Sequence, residues 1–297
     1  MLGAAPARER LQCTMLAYRH AFHAGSHADV LKHLVFAEVL RHMADKDKAY
    51  TLIDTHAGAG GYSLQGRYAR KNAEYLTGIA PLWTRDDLPP ALTDYVALVR
   101  EFNGGGELTQ YPGSPALAKL LLRSVDRMRL YELHPTDHRI LEAYLGERAQ
   151  TEVMQSDGFE SLARDLPPPS RRGVVLMDPS YELKTDYSRV VHTLRTGLER
   201  FAQGVFVIWY PHVQLLEAAQ LPKRLRATAA NAPKGWLEVS LDVLPGRSDG
   251  FGMGGSAVFV VNPPFQLRER LAVALPYLVK VLGQHAEARH KIEAHSP

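Results

Sequence analysis

The sharpest chemical signal in the chain is Asp178-Pro179-Ser180-Tyr181, directly after the apolar run Gly173–Met177. An exocyclic amine on a nucleobase is a poor nucleophile because its lone pair is delocalised into the ring. The Asp178 carboxylate and the Pro179 carbonyl can accept the two amine hydrogens and favour a pyramidal, nucleophilic nitrogen. Tyr181 can stack on a base taken out of its helix. Such a set implies direct methyl transfer, its rate supplied by positioning and electrostatics. The competing reading is an ordinary strand-end Asp-Pro turn. Asn262-Pro263-Pro264-Phe265 matches the Asp/Asn-Pro-Pro-aromatic pattern of amino-methylating enzymes better by letter. It follows the last expected strand, far from the glycine turn, and prolines are a common way to leave a strand. It is read as structural.

A second group suits a nucleoside cofactor. Gly58-Ala59-Gly60-Gly61 follows a short apolar strand ending at Asp54 and lets backbone approach a ligand. It lacks the full G-x-G-x-x-G phosphate pattern because position 63 is Ser. Glu132 ends the next strand of the alternation, where a carboxylate can accept both protons of a ribose diol. Asp157 ends the third, where an adenine amino group can donate to it. Together these fit S-adenosylmethionine, which has no pyrophosphate. The alternative is that the glycines make a tight turn and the acids cap helices. His20, His23, His27 and His33 invite a metal reading, but their spacing fits no zinc pattern and no HExxH accompanies them, so no metal is expected.

These residues need elements to position them. Ser26 is a good N-cap, with Asp29 three residues on for a capping-box-like pair, and Leu31, Leu34, Val35 and Val39 form one apolar stripe. Strands are expected at Tyr50–Ile53, Met128–Leu133, Glu152–Gln155, Gly173–Met177 and Val205–Trp209, and helices at Asp137–Leu145, Tyr187–Phe201 and from Leu267 toward Leu282. Ser114 reads as the cap of a helix with Pro115 first. Strands alternating with helices imply a parallel sheet covered on both faces. Leu237–Leu244 and Ala257–Val261, joined by a glycine-rich loop, should pair as an antiparallel hairpin. Residues 65–112 interrupt the rhythm and read as a helical insertion, and residues 1–14 as a poorly ordered extension before Met15. Acids at four successive strand ends, Asp54, Glu132, Asp157 and Asp178, mark the edge where open α/β sheets bind ligands.

Composition narrows the class. With 45% hydrophobic and 23% charged residues, the 297-residue chain is ordinary globular protein. Runs such as Val205–Tyr210 are too short to cross a bilayer. A single cysteine, Cys13, excludes an internal disulfide framework and points to a reduced, cytoplasmic setting. A net charge of +3 permits a nucleic-acid partner without arguing for one. A monomer is expected.

The segments from Tyr18-Arg19-His20 through Ala24-Gly25-Ser26-His27-Ala28-Asp29-Val30-Leu31-Lys32-His33 closely resemble the start of the ribosomal RNA large subunit methyltransferase J family. So do Asp54–Gly60, Tyr111–Pro115, Glu132–Pro135, Asp157–Phe159 and Asp178–Asp186 (DPSYELKTD), in order. The resemblance implies a Rossmann-like, class I methyltransferase α/β sheet with helices on both faces and a small helical insertion. It implies N6-methylation of an adenine in 23S ribosomal RNA with S-adenosylmethionine. Motif by motif, it implies cofactor contacts at His33, His56, Ser114, Glu132, Asp157, Gly158 and Asp178. It places the catalytic acid at Asp178, with Pro179 and Tyr181 beside it, and implies RNA contact at Tyr18 and near Lys32. One departure is Ser180, where the family pattern has proline. Pro179 retains the carbonyl acceptor, but the stiffness of the loop is altered. The rival activities are a DNA adenine-N6 methyltransferase and a cofactor- and RNA-binding protein that Ser180 has left catalytically weak.

Overall fold

The structure, a computed structural model, describes residues 20–66, 72–147, 149–244 and 253–297. The expectations for residues 1–14 and for Tyr18 lie outside the described residues.

Helix α1 (His27–Ala44) begins where Ser26 caps it, the Ser26 side chain accepting the Asp29 N–H at 3.4 Å. Asp29 reaches back one residue further than a capping box requires, accepting the Gly25 N–H at 2.9 Å. The expected apolar stripe is buried, but so are Asp29, Lys32 and His33. These three are enclosed by polar partners, Asp29 by Gly25 and His20, Lys32 by Asp29 and Asp178, and His33 by Tyr111, so amphipathic spacing understates how enclosed the helix is.

The parallel part of the sheet comprises β1 (Thr51–Asp54), β4 (Arg127–Tyr131), β5 (Thr151–Met154), β6 (Gly173–Met177) and β7 (Val205–His212). With β8 (Trp236–Asp242), β9 (Gly255–Val261) and β10 (Arg289–His295), the order is β10-β8-β9-β7-β6-β1-β4-β5. β1 lies between β4 and β6, with Asp54 level with Leu130 and Leu176. The expected antiparallel pairing of β8 with β9 is present, and β9 also runs antiparallel to β7.

Strand residues alternate between two cores, as the two-residue period of a strand requires. Val174, Leu176, Val205 and Val207 join α1 and α9 (Leu267–Leu282) on one face. Val175, Met177, Phe206 and Ile208 join α6 (Gly158–Asp165), α7 (Lys184–Arg200) and α8 (Leu216–Thr228) on the other. Helix α5 (Pro135–Leu145) sends Leu141 and Leu145 into the first core. This is the three-layer, Rossmann-like arrangement expected of the alternating pattern.

Two further strands, β2 (Gly61–Ser63) and β3 (Gln110–Pro112), pair with Tyr62 opposite Tyr111. Between them lie a short 3-10 turn at Glu74–Leu76 and helices α2 (Ala80–Trp83) and α3 (Pro90–Phe102). Helix α4 (Ser114–Leu121) follows, and its N-cap is Gly113 rather than the expected Ser114. The Ser114 hydroxyl is committed elsewhere, donating to Asp54 at 2.6 Å. Two elements carry no clear sequence signal. Pro222 interrupts the apolar period of α8, and β10 is mostly polar, formed by its pairing with β8. Among the described residues, no helix is long and apolar enough to cross a membrane.

Candidate active site

A cavity of about 780 Å³ opens at the carboxyl ends of β5, β4, β1 and β6. Behind its wall the buried Asp54 organises the turn after β1. Its Oδ1 accepts the His56 N–H at 3.1 Å and its Oδ2 the Ser114 hydroxyl at 2.6 Å. Burial pushes this carboxyl up to about 6. Ser114 and His56 are thus tied to one acid. The His56 imidazole is pushed down to about 4 by burial and is neutral at physiological pH.

The turn then crosses toward Glu132. Gly58 has φ +61°, a conformation costly for a residue with a side chain, and a Cβ there would lie 2.3 Å from the Tyr62 hydroxyl oxygen. Its N–H donates to Glu132 Oε2 at 2.7 Å, and the His134 N–H donates to Oε1 at 2.7 Å. Burial raises the Glu132 carboxyl to about 7. Each oxygen keeps acceptor capacity beyond its one backbone partner.

Asp157 caps α6, its Oδ1 accepting from Phe159 N at 2.9 Å and Glu160 N at 3.4 Å, while Oδ2 pairs with Arg189 at 2.6 Å. The capping reading of this acid therefore holds, and the residue still lines the cavity. Gly158 permits a close approach of α6 to the end of β1, since a Cβ there would meet the Thr55 carbonyl oxygen at 2.1 Å. The Phe159 ring is held between the His56 ring edge and the Arg189 guanidinium, each 4.6 Å away. A glycine turn without side-chain bulk, a carboxylate with spare acceptors and a flat apolar wall fit the ribose and adenine of an adenosyl cofactor.

On the α1 side, His33 lines the same cavity and its Nδ1 lies 2.8 Å from the Tyr111 hydroxyl, which lies 2.7 Å from that of Tyr95. Burial and the Lys32 charge hold this imidazole well below its usual range, hence neutral. A neutral ring is the form compatible with a nearby sulfonium.

The remaining wall carries the tetrad. Asp178 Oδ2 is 2.6 Å from Lys32 Nζ, and Lys32 Nζ is 2.9 Å from Asp29 Oδ1. Lys32 is 4% exposed at its side chain and engaged with two carboxylates, and it lines the cavity beside Asp178. Tyr181 has φ +54°, donates its hydroxyl to the Trp209 carbonyl at 2.8 Å and packs 4.7 Å from the Tyr187 ring. It is part of an aromatic wall with Trp209, whose ring lies 5.7 Å from Lys32 Nζ.

Asn262 sits at the opposite edge of the sheet. β9 runs antiparallel to β7, so Val261 pairs with Phe206 at the start of β7, away from Asp178. Asn262 accepts the Lys234 N–H and donates to the Ala202 and Gly204 carbonyls. Its work is to clasp two loops. Among the described residues no His, Cys, Asp and Glu cluster could hold a metal ion. His20 and His23 lie instead beside Asp29 and Glu74. Sequence reasoning missed Arg189 and Trp209 as parts of this cavity, and Tyr111 as the partner that holds His33 in it. Trp209 lay within reach, since extending the strand-end rule by one strand, to β7, finds it.

The family model described as ribosomal RNA large subunit methyltransferase D, RlmJ, matches residues 47–293. A curated Escherichia coli protein, ribosomal RNA large subunit methyltransferase J, is 45% identical over 89% of this chain and 93% of its own length. Its Haemophilus influenzae namesake is 42% identical over 95% of this chain and 100% of its own. A crystal structure of a Legionella pneumophila protein superposes with a TM-score of 0.84 at 31% identity, covering 92% of this chain and 99% of that one. With matches of this length and identity, the chain belongs to the ribosomal RNA large subunit methyltransferase D, RlmJ, family.

Proposed function

We propose that this protein transfers a methyl group from S-adenosylmethionine to the N6 amino group of an adenine in large-subunit ribosomal RNA. The observation that carries the reading is one cavity bordered by both sets of residues. Glu132, Asp157 and the Gly58 turn stand on one side, and Asp178, Pro179 and Tyr181 on the other.

When bound, the cofactor supplies an electrophilic methyl group on a sulfonium. Glu132 would hold the ribose hydroxyls, Phe159 and Asp157 would flank the adenine, and neutral His33 and His56 would complete the wall without opposing the positive charge. Asp178, with Oδ2 on Lys32, offers Oδ1 to the target amine. The Pro179 carbonyl accepts the second amine hydrogen. Both acceptors stabilise positive charge that grows on nitrogen only as the N–C bond forms and the C–S bond breaks, so they act on the transition state more than on binding. The methylated amine then gives up one proton to Asp178 Oδ1 and from there to solvent, leaving a neutral N6-methyl amine. The aromatic wall of Tyr181 and Trp209 provides a surface against which an unstacked base can lie.

The test is single-turnover incorporation of labelled methyl into unmodified 23S RNA, with duplex DNA as the competing substrate. Asp178→Ala should lose at least about a hundredfold in rate, the scale for one electrostatic catalytic group. It should keep cofactor affinity, because Lys32 retains Asp29 as a partner. Wild-type transfer by a folded Asp178→Ala protein, or a preference for DNA, would sink the reading.

A further inference from the structure

We propose that Asp29 is a positioning residue for this transfer, sharing the Lys32 ammonium with Asp178 and so limiting that ammonium's hold on the carboxylate that meets the amine. The inference rests on the role assigned to Asp178 above.

Asp29 is 1% exposed and uses both oxygens. Oδ2 lies 2.9 Å from His20 Nε2 and accepts the Gly25 N–H at 2.9 Å, which satisfies the start of α1. Capping needs nothing more, yet Oδ1 is spent on Lys32, three residues along the same helix face, at 2.9 Å. Lys32 then reaches Asp178 at 2.6 Å. One buried ammonium thus serves two carboxylates less than about 6 Å apart, Asp29 buried and Asp178 partly open to the cavity, and in that setting each charge strongly affects the others.

The consequence concerns acceptor strength. An ammonium serving Asp178 alone would draw its electron density and hold its orientation, making it a poorer acceptor for an amine acquiring positive charge. Asp29 counters that pull. Burial raises Asp178, Lys32 and His20 lower it, and Asp29 adds to the rise, with Asp54 and Tyr181 also nearby. Asp29 itself is faced by His20, Lys32 and His33, and more distantly by His23, His27, Tyr62, Tyr95 and Tyr111. Neutralising Asp29 therefore leaves Asp178 ionised to lower pH while weakening it as an acceptor. A residue that merely supported the fold would not move the pH profile in that direction.

The experiment measures single-turnover methyl transfer to 23S RNA across the acid pH range, with cofactor affinity by calorimetry, for Asp29→Asn and Asp29→Glu. Asp29→Asn should be at least about tenfold slower, bind cofactor as the wild type does, and show an acid limb about one pH unit lower, as loss of a nearby like charge requires. Asp29→Glu, which keeps the charge, should leave the acid limb in place. An unmoved acid limb in Asp29→Asn overturns the proposal even if the rate falls. If Asp29→Asn does not fold, a shifted limb in Asp29→Glu overturns it and an unshifted one supports it. The Asp178→Ala control separates the two levels. If that variant is inactive and Asp29→Asn is normal, only this inference fails, whereas an active Asp178→Ala removes both.

Discussion

Glu132→Gln keeps the shape of the side chain and removes its charge. Glu132 accepts two backbone N–H groups, from Gly58 and His134, one on each oxygen. An amide has one carbonyl oxygen, so its NH2 must confront one of those two donors inside the protein. That mismatch should cost about 1–3 kcal/mol of stability. Each ribose hydroxyl bond to a carboxylate is worth roughly 1.5–3 kcal/mol, so affinity for S-adenosylmethionine should fall at least about tenfold. The pH dependence gives a second readout. Burial raises the Glu132 carboxyl to about 7 in the empty site, while hydroxyl donors favour the ionised form. Binding should therefore release protons just below neutrality, and affinity should rise with pH up to about 7 and then level. The same raised value means that Glu132 detracts from the stability of the empty protein as pH rises from the ordinary carboxylate range toward 7, and the cofactor should offset this. Titration calorimetry in two buffers of different ionisation enthalpy measures the proton release directly. Unchanged affinity in folded Glu132→Gln, or proton release persisting in it, would refute the assignment.

Asn262→Ala loses hydrogen bonds to Lys234, Ala202 and Gly204 and places Ala at φ +54°. It should cost about 2–4 kcal/mol of stability yet keep methyl transfer below its melting temperature, and an inactive but folded variant would contradict this. Gly158→Ala drives a Cβ into the Thr55 backbone. It should lower stability by about 1–3 kcal/mol and also weaken cofactor binding, because the start of α6 must move away from β1; thermal melts paired with calorimetry test both parts.

The alternation of strands and helices was readable because buried parallel strands such as Gly173–Met177 are short, wholly apolar and bounded by an acid. The same regularity located Asp54, Glu132, Asp157 and Asp178 on one edge before any geometry was known. Asp178 and Asn262 carry similar local letters, and strand direction separates them. Sheet order is a tertiary property, so the distinction needed an assumed topology. Roles that depend on distant partners were less legible. Ser114 read as a cap because its partner, Asp54, lies sixty residues away. Lys32 read only as a cation near the RNA, because helical spacing says nothing about its partner Asp178. Helix α8 and strand β10 were missed since one contains proline and the other lacks an apolar face.

β10 has a consequence unconnected with methyl transfer. An open strand edge is a row of unpaired donors and acceptors on which another extended chain can grow. β8, with Leu237, Val239 and Leu241 buried, would be a poor strand to leave open. β10 pairs along all seven of its residues, and Arg226 ties the two strands by meeting Glu238 and Glu293. The new outer edge presents exposed Arg289 and Lys291, charges that resist further strand addition. This segment keeps the sheet finite. Damage to it should surface as self-association of an otherwise competent enzyme, a colloidal failure in place of a chemical one.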